Sequence, residues 1–166
     1  MQFVPILVFG FAASLGLTPL SRQIAMRLGV VDKPNQRKIH HDHKPLMGGL
    51  AIYVAFTLSL LLFSLPQHLA QLGAILLGAA FLALVGLLDD RYELGIKSKL
   101  VAQSITALLI IASGIHISLF KIPVLDFGLT VLWIVTLTNA VNFLDNMDGL
   151  TAGLSAIAAF FFMLIA

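Results

Sequence analysis

The sequence predicts an all-α fold: a polytopic bundle of about six transmembrane helices. Three observations predict it. Hydrophobic residues make up 59% of the 166 residues and charged residues only 11%, against about 25% charged in ordinary soluble domains. The apolar residues gather into runs close to the ~20 residues that a helix needs to cross a bilayer. Lysine and arginine fall almost entirely into alternate loops, which is the asymmetry that positive-inside sorting produces.

Each span follows from its own stretch. The first, 3–20, has no basic residue before its apolar run and no clear small-x-small cleavage site after it, so it reads as a retained span and not a signal peptide. The second is 47–65. Pro66, Gln67 and His68 make a short turn into the third, 69–88. The fourth is 100–115, the fifth 129–144 and the sixth 151–166. Several are short for a bilayer, which tilt, local thinning or snorkelling flanks absorb. There is no cysteine, hence no disulfide or thiolate chemistry. A formal charge of +2 is too small to point to nucleic acid. No internal repeat or low-complexity tract interrupts the pattern.

The loops alternate between two sides. Residues 22–46, 89–99 and 145–150 share one side and carry Arg22, Arg27, Lys33, Arg37, Lys38, Lys44, Arg91, Lys97 and Lys99. Residues 66–68 and 116–128 share the other and carry only Lys121. The positive-inside rule makes the first side cytoplasmic and the N-terminus external. Apart from Asp126, every acidic residue also falls on that cytoplasmic side. A site there has carboxylates for a divalent cation and lysine or arginine for an anion.

Three polar stretches stand out. In 138–150, Asn142, Asp145 and Asp148 recur every three residues before Gly149. A continuous helix would place them along one face, and the glycine permits a tight turn or close backbone approach. Carboxylates at bilayer depth are costly, which favours a functional reading over a polar connector. Asp89-Asp90 closes another apolar run. Adjacent carboxylates repel unless a cation or proton offsets them. Magnesium takes one or two carboxylates plus substrate phosphates, but a solvated helix end with Arg91 pairing locally explains the doublet equally well. The third stretch, 29–49, is basic and punctuated by proline and glycine, fit for phosphates or for anionic headgroups. Its His40, His41 and His43 lack the helical spacing of a common zinc motif. Lys97 and Lys99 head the fourth span and read, without context, as topology-setting snorkelling residues. Gly48-Gly49 and Gly78 read as helix-packing positions.

Together these stretches resemble the polyprenyl-phosphate N-acetylhexosamine-1-phosphate transferases. The matching segments are VDKPNQRKIH (31–40), PLMGGLAIY (45–53), GLLDD (86–90) and TNAVNFLDNMDGLTAGLS (138–155), in the family's order across nearly the whole chain. The first is more similar to the branch acting on UDP-N-acetylglucosamine for surface polysaccharides such as lipopolysaccharide O-antigen than to the branch serving peptidoglycan. The resemblance implies transfer of N-acetylhexosamine-1-phosphate from a UDP-N-acetylhexosamine to undecaprenyl phosphate, with release of UMP. It implies Mg2+ as cofactor and a bacterial inner-membrane location. The lipid bilayer is a partner, nucleic acid is not, and a homodimer is compatible with it. By resemblance, Asp89, Asp90 and Asp148 are catalytic and metal-binding residues, with Asp89 favoured as base. Lys33, Arg37, Lys38, His40, Lys97, Lys99, Asn142 and Asp145 are substrate-binding residues.

The family has ten or eleven spans. The expectation is therefore a single membrane domain, 1–166, forming an N-terminal portion that does not catalyse transfer alone. An ion or proton transporter, or a non-catalytic membrane scaffold, are the alternatives from other classes.

Overall fold

The computed structural model describes residues 4–32, 44–45, 47–63, 69–145 and 149–165. Among them are six helices: α1 (Val4–Leu28), α2 (Gly48–Phe63), α3 (Leu69–Tyr92), α4 (Ile96–Ala112), α5 (Pro123–Leu144) and α6 (Leu150–Ile165). Two two-residue strands, β1 (Val31–Asp32) and β2 (Lys44–Pro45), pair antiparallel in the register Val31↔Pro45 and Asp32↔Lys44. The all-α prediction stands apart from this small ribbon. Helices α1, α3 and α5 are each long and apolar enough to cross a membrane, and α2 and α6 are shorter apolar helices. The chain is a multi-pass membrane protein. It forms two compact units, Met1–Ile115 and His116–Ala166.

In the first unit, consecutive helices pack against one another through small residues. Ala51, Ala55 and Ser59 are buried on α2, one turn apart. Gly10 of α1 meets this stripe so closely that a Cβ there would lie 3.0 Å from Ser59 Oγ, and Phe9 packs edge-on against Phe63 at 5.6 Å. The Ser59 hydroxyl donates to Ala55 O at 2.6 Å, so burying it leaves no polar group unmet. The Tyr53 hydroxyl of α2 donates to Leu76 O of α3 at 3.1 Å. On α4, Ala102, Gln103, Thr106 and Ala107 form the buried stripe. Gly78 of α3 abuts Thr106, and contact at both Gly78–Thr106 and Asp89–Lys99 fixes α3 and α4 as antiparallel neighbours.

This up-and-down order has a consequence for the site. The end of α1, the start of α2, the end of α3 and the start of α4 all fall at one end of the unit. The described ribbon of β1 and β2 and the Asp89-Asp90 doublet therefore share that end.

Close packing at Gly78 makes the first expected result. A Cβ there would sit 2.9 Å from Thr106 Cγ2, and Thr106 is itself buried with its hydroxyl committed to Ala102 O at 3.0 Å. Gly78→Leu is expected to destabilise the unit by roughly 1–3 kcal/mol through overpacking. Gly86→Leu on the same helix meets open space and should be neutral. Thermal unfolding in detergent distinguishes them, and equal effects would discount the contact. Gly48 and Gly49 do not pack as expected: a Cβ at either meets nothing within 4 Å. They open α2 instead of lining a helix contact.

Several helix ends differ from the predicted spans. Helix α1 runs eight residues past Leu20, because Pro19 does not stop it. The proline removes one backbone donor. Nearby hydroxyls take up part of the local bonding, with Thr18 donating to Ser14 O at 2.7 Å and Ser21 to Thr18 O at 2.9 Å. The helix closes at Gly29, whose φ of +69° lets Val30 N–H reach Ala25 O at 3.0 Å.

In the second unit, α5 begins at Pro123, six residues before the predicted start. The preceding strand of chain is strapped onto its first turns. The buried Asp126 carboxylate accepts from Leu119 N at 3.1 Å and Phe120 N at 2.8 Å, both through Oδ1. Thr130 Oγ1 accepts from Ile117 N at 2.9 Å and donates to Asp126 O at 2.7 Å. His116 packs edge-on against Phe127 at 5.2 Å. Helix α6 has no buried residue, as expected of an apolar helix whose solvent is lipid.

Candidate active site

The strongest concentration of chemistry in the first unit is the tip of the α3–α4 hairpin. Helix α3 ends with Asp89 and Asp90 in its last turns, and Glu93 N–H caps it by donating to Asp89 O at 2.8 Å. Glu93 holds a φ of 49°, an uncommon conformation for a residue with a Cβ. Gly95 then opens α4, whose first turns carry Lys97 and Lys99 and no acidic residue.

Both helix ends carry the charge their dipoles disfavour. Carboxylates stabilise helix N-termini and ammonium groups C-termini; here the two are reversed. Such an arrangement does not serve helix stability. It leaves one helix end electronegative and the next electropositive, side by side.

The two sets meet. Lys99 Nζ lies 2.5 Å from Asp89 Oδ2, with the two side chains 32% and 25% exposed. Lys99 is thus held by a carboxylate, where sequence reasoning gave it only topology or substrate. Asp89 takes its partner from the next helix, and Arg91 lies over the Tyr92 ring at 5.7 Å. Asp90 and Lys97 are both exposed.

Whether this site suits magnesium can be judged from the donors. Asp89 and Asp90 offer hard carboxylate oxygens, and the Lys99 ammonium already stands where a cation would neutralise Asp89. Among the described residues no three histidines, cysteines or acids gather into a ready-made cage. Magnesium keeps waters and binds through one or two carboxylates plus phosphates, so a carboxylate pair fits it.

The second unit holds the other polar stretch. Thr138 Oγ1 donates to Ile134 O at 2.8 Å, and Asn139 Nδ2 to Val135 O at 2.8 Å. Both side chains thereby turn back onto α5. Asn142 is exposed, and Asp145 is the exposed C-cap residue with φ −71° and ψ −3°. The predicted run of three on one helical face holds for Asn142 and Asp145. It does not extend as a single helix, because α5 ends at Leu144 and Gly149 takes a φ of +77° before α6. The φ of Gly149 is one that glycine adopts without strain. Asp148, Lys33, Arg37, Lys38 and His40 lie outside the described residues.

Sequence reasoning missed the Asp126–Thr130 strap. Its signal was legible: Pro123 followed by an acid in the first turn is a helix-start pattern. The carboxylates of α3 stand at a helix end and not mid-span, which argues against the transporter alternative, whose sites lie near the midplane.

Comparison with known proteins agrees with this reading. Residues 72–166 match the model of "Glycosyl transferase family 4". The chain is 36% identical over 166 residues to a Bacillus subtilis protein named "Probable undecaprenyl-phosphate N-acetylglucosaminyl 1-phosphate transferase", covering 95% of this chain and 46% of that protein. It is 32% identical over 156 residues to the "Decaprenyl-phosphate N-acetylglucosaminephosphotransferase" of Mycolicibacterium smegmatis, covering 83% of this chain and 38% of the other. It is 30% identical over 150 residues to the "Undecaprenyl-phosphate alpha-N-acetylglucosaminyl 1-phosphate transferase" of Escherichia coli K12, covering 83% of this chain and 40% of the other. The chain thus spans under half the length of these relatives. No solved structure matches it. A family model that takes in α3 to α6, and relatives aligned along nearly the whole chain, establish that it belongs to glycosyl transferase family 4.

Proposed function

We propose that this chain supplies part of the active site of a transferase that moves N-acetylhexosamine-1-phosphate from a UDP-sugar to a polyprenyl phosphate. The observation that carries this is the α3–α4 tip, where carboxylates and lysines meet at helix ends whose dipoles favour neither. The names of the relatives supply the substrate classes: a polyprenyl phosphate acceptor and an N-acetylglucosaminyl phosphate donor.

In the reaction, an oxygen of the lipid phosphate bonds to the sugar-bearing phosphorus of the donor. The bond from that phosphorus to the bridging oxygen breaks, and UMP leaves. Phosphoryl transfer depends chiefly on positioning and charge neutralisation. Asp89 and Asp90 would hold magnesium at the end of α3. When bound, the metal supplies positive charge at the donor diphosphate. Asp89 is the favoured acceptor of any proton left on the lipid phosphate. Lys97 and Lys99, at an electropositive helix start, draw the diphosphate. Lys33, Arg37, Lys38 and His40, which the family resemblance assigns to the substrate, would add cations. Asn142 and Asp145 are assigned to the nucleotide. This site lies on the cytoplasmic face of the bacterial inner membrane, with the N-terminus external, because the nucleotide sugar is a cytoplasmic compound and the basic loops sort to that side.

The direct test uses a full-length transferase carrying this chain, in membranes supplied with undecaprenyl phosphate and UDP-N-acetylglucosamine. UMP and a lipid-linked sugar diphosphate should form together, should cease on chelation with EDTA, and should return with Mg2+. Transfer that survives chelation would remove the metal assignment. Absence of UMP release with every substrate present would favour the scaffold reading.

A further inference from the structure

We propose that Lys99 is an exchangeable counter-ion: it neutralises Asp89 before a metal binds, and it passes to the donor diphosphate when the metal takes Asp89. The proposal rests on the reading of the α3–α4 tip as a metal and diphosphate site. It goes beyond that reading by assigning Lys99 two successive partners and by making cation and nucleotide binding interdependent.

Four observations lead to it. First, Lys99 Nζ sits on Asp89 Oδ2, one of the two adjacent carboxylates that this reading gives to the cation, so the ammonium and a divalent ion compete for one oxygen. Second, both side chains are partly exposed, 32% for Lys99 and 25% for Asp89. The pair can therefore open into water without disrupting the helix contact, which is made deeper, at Gly78 and Thr106. Third, the released ammonium has no carboxylate in its own first turn to return to. It stands within an electropositive helix start beside Lys97, where an anion is the favourable neighbour. Fourth, lysine carries its charge on a flexible four-carbon stem and acts as a point charge. It can swing between partners where an arginine fork would be held in one geometry.

Interdependence follows from linkage. If a cation must displace Lys99, binding of the cation alone is weakened by that competition. If the displaced Lys99 then meets a diphosphate, each ligand raises the other's affinity by the same factor. The device opposes loading of either ligand alone and favours loading of both.

The test measures Mn2+ binding, by electron paramagnetic resonance, to the chain in lipid nanodiscs with and without UDP. Four proteins are compared: the unmodified chain, Lys99→Met, Lys99→Arg and Asp89→Asn. Circular dichroism checks that helicity is unchanged, and Lys99→Gln replaces Lys99→Met if the latter does not fold. Without nucleotide, Lys99→Met is expected to bind Mn2+ roughly two- to fivefold more tightly, the range a partly exposed ion pair supports. Lys99→Arg should bind no more tightly than the unmodified chain. With Mn2+ present, Lys99→Met should bind UDP more weakly. Lys99 thus predicts a variant that holds metal better and nucleotide worse.

Two results overturn the idea in different ways. If Asp89→Asn weakens Mn2+ binding but Lys99→Met leaves it unchanged or weaker, the exchange is wrong and the metal site stands. If Asp89→Asn leaves Mn2+ binding unchanged, or the unmodified chain binds none, the metal site is not at this tip and both readings fall together.

Discussion

Asp89→Asn is expected to lower sugar-phosphate transfer by about 10²–10³-fold, the range seen when one group that stabilises transition-state charge is removed. The substitution keeps the size, removes the charge and replaces one accepting oxygen with an NH2 donor. Loss of the Asp89–Lys99 pair should change stability by no more than ~1 kcal/mol, because both side chains are partly exposed. The measurement is the initial rate of UMP release by a full-length transferase carrying this chain, beside its thermal unfolding. A large fall in rate with an unchanged unfolding temperature assigns Asp89 to chemistry. A rate within a few-fold of the unmodified protein would move the site away from the end of α3, whatever the family membership.

Asp126→Ala carries the largest expected effect on stability. The carboxylate is 3% exposed and accepts two backbone N–H groups on a single oxygen. Hydrogen bonds to a charged group contribute about 1.5–3 kcal/mol, and stranding partly buried donors adds to the loss. The alanine variant should therefore lose about 3 kcal/mol and speed hydrogen exchange at Leu119 and Phe120. Because both bonds go to Oδ1, Asp126→Asn can retain the two contacts with a neutral acceptor and should lose about half as much. Equal losses from alanine and asparagine would show that charge at the start of α5, and not the two contacts, is what stabilises the turn.

The membrane architecture was legible because few forces compete with it. A run of apolar residues near bilayer length leaves the backbone little choice but helix, so all six helices were located. Their ends were less legible. Pro19 commonly marks a helix end, yet α1 continues through it to Leu28. The start of α5 was placed late because 116–128 reads as an irregular stretch until Asp126 is recognised as its clasp. The acidic doublet was found from charge alone, since carboxylates are conspicuous in so apolar a chain. What spacing could not supply was the identity of its partner. Asp89 and Lys99 are ten residues apart, and only the antiparallel packing of α3 on α4 brings them into contact. Arg91, nearer in sequence, was the obvious neighbour for Asp89, yet Lys99 is the cation found on it.

The ribbon between Val31–Asp32 and Lys44–Pro45 works as a staple on the first unit. By pairing Val31 with Pro45 it returns the chain to the exit of α1 just before the entrance of α2, so these two helix ends are stapled by backbone bonding and not by side-chain packing alone.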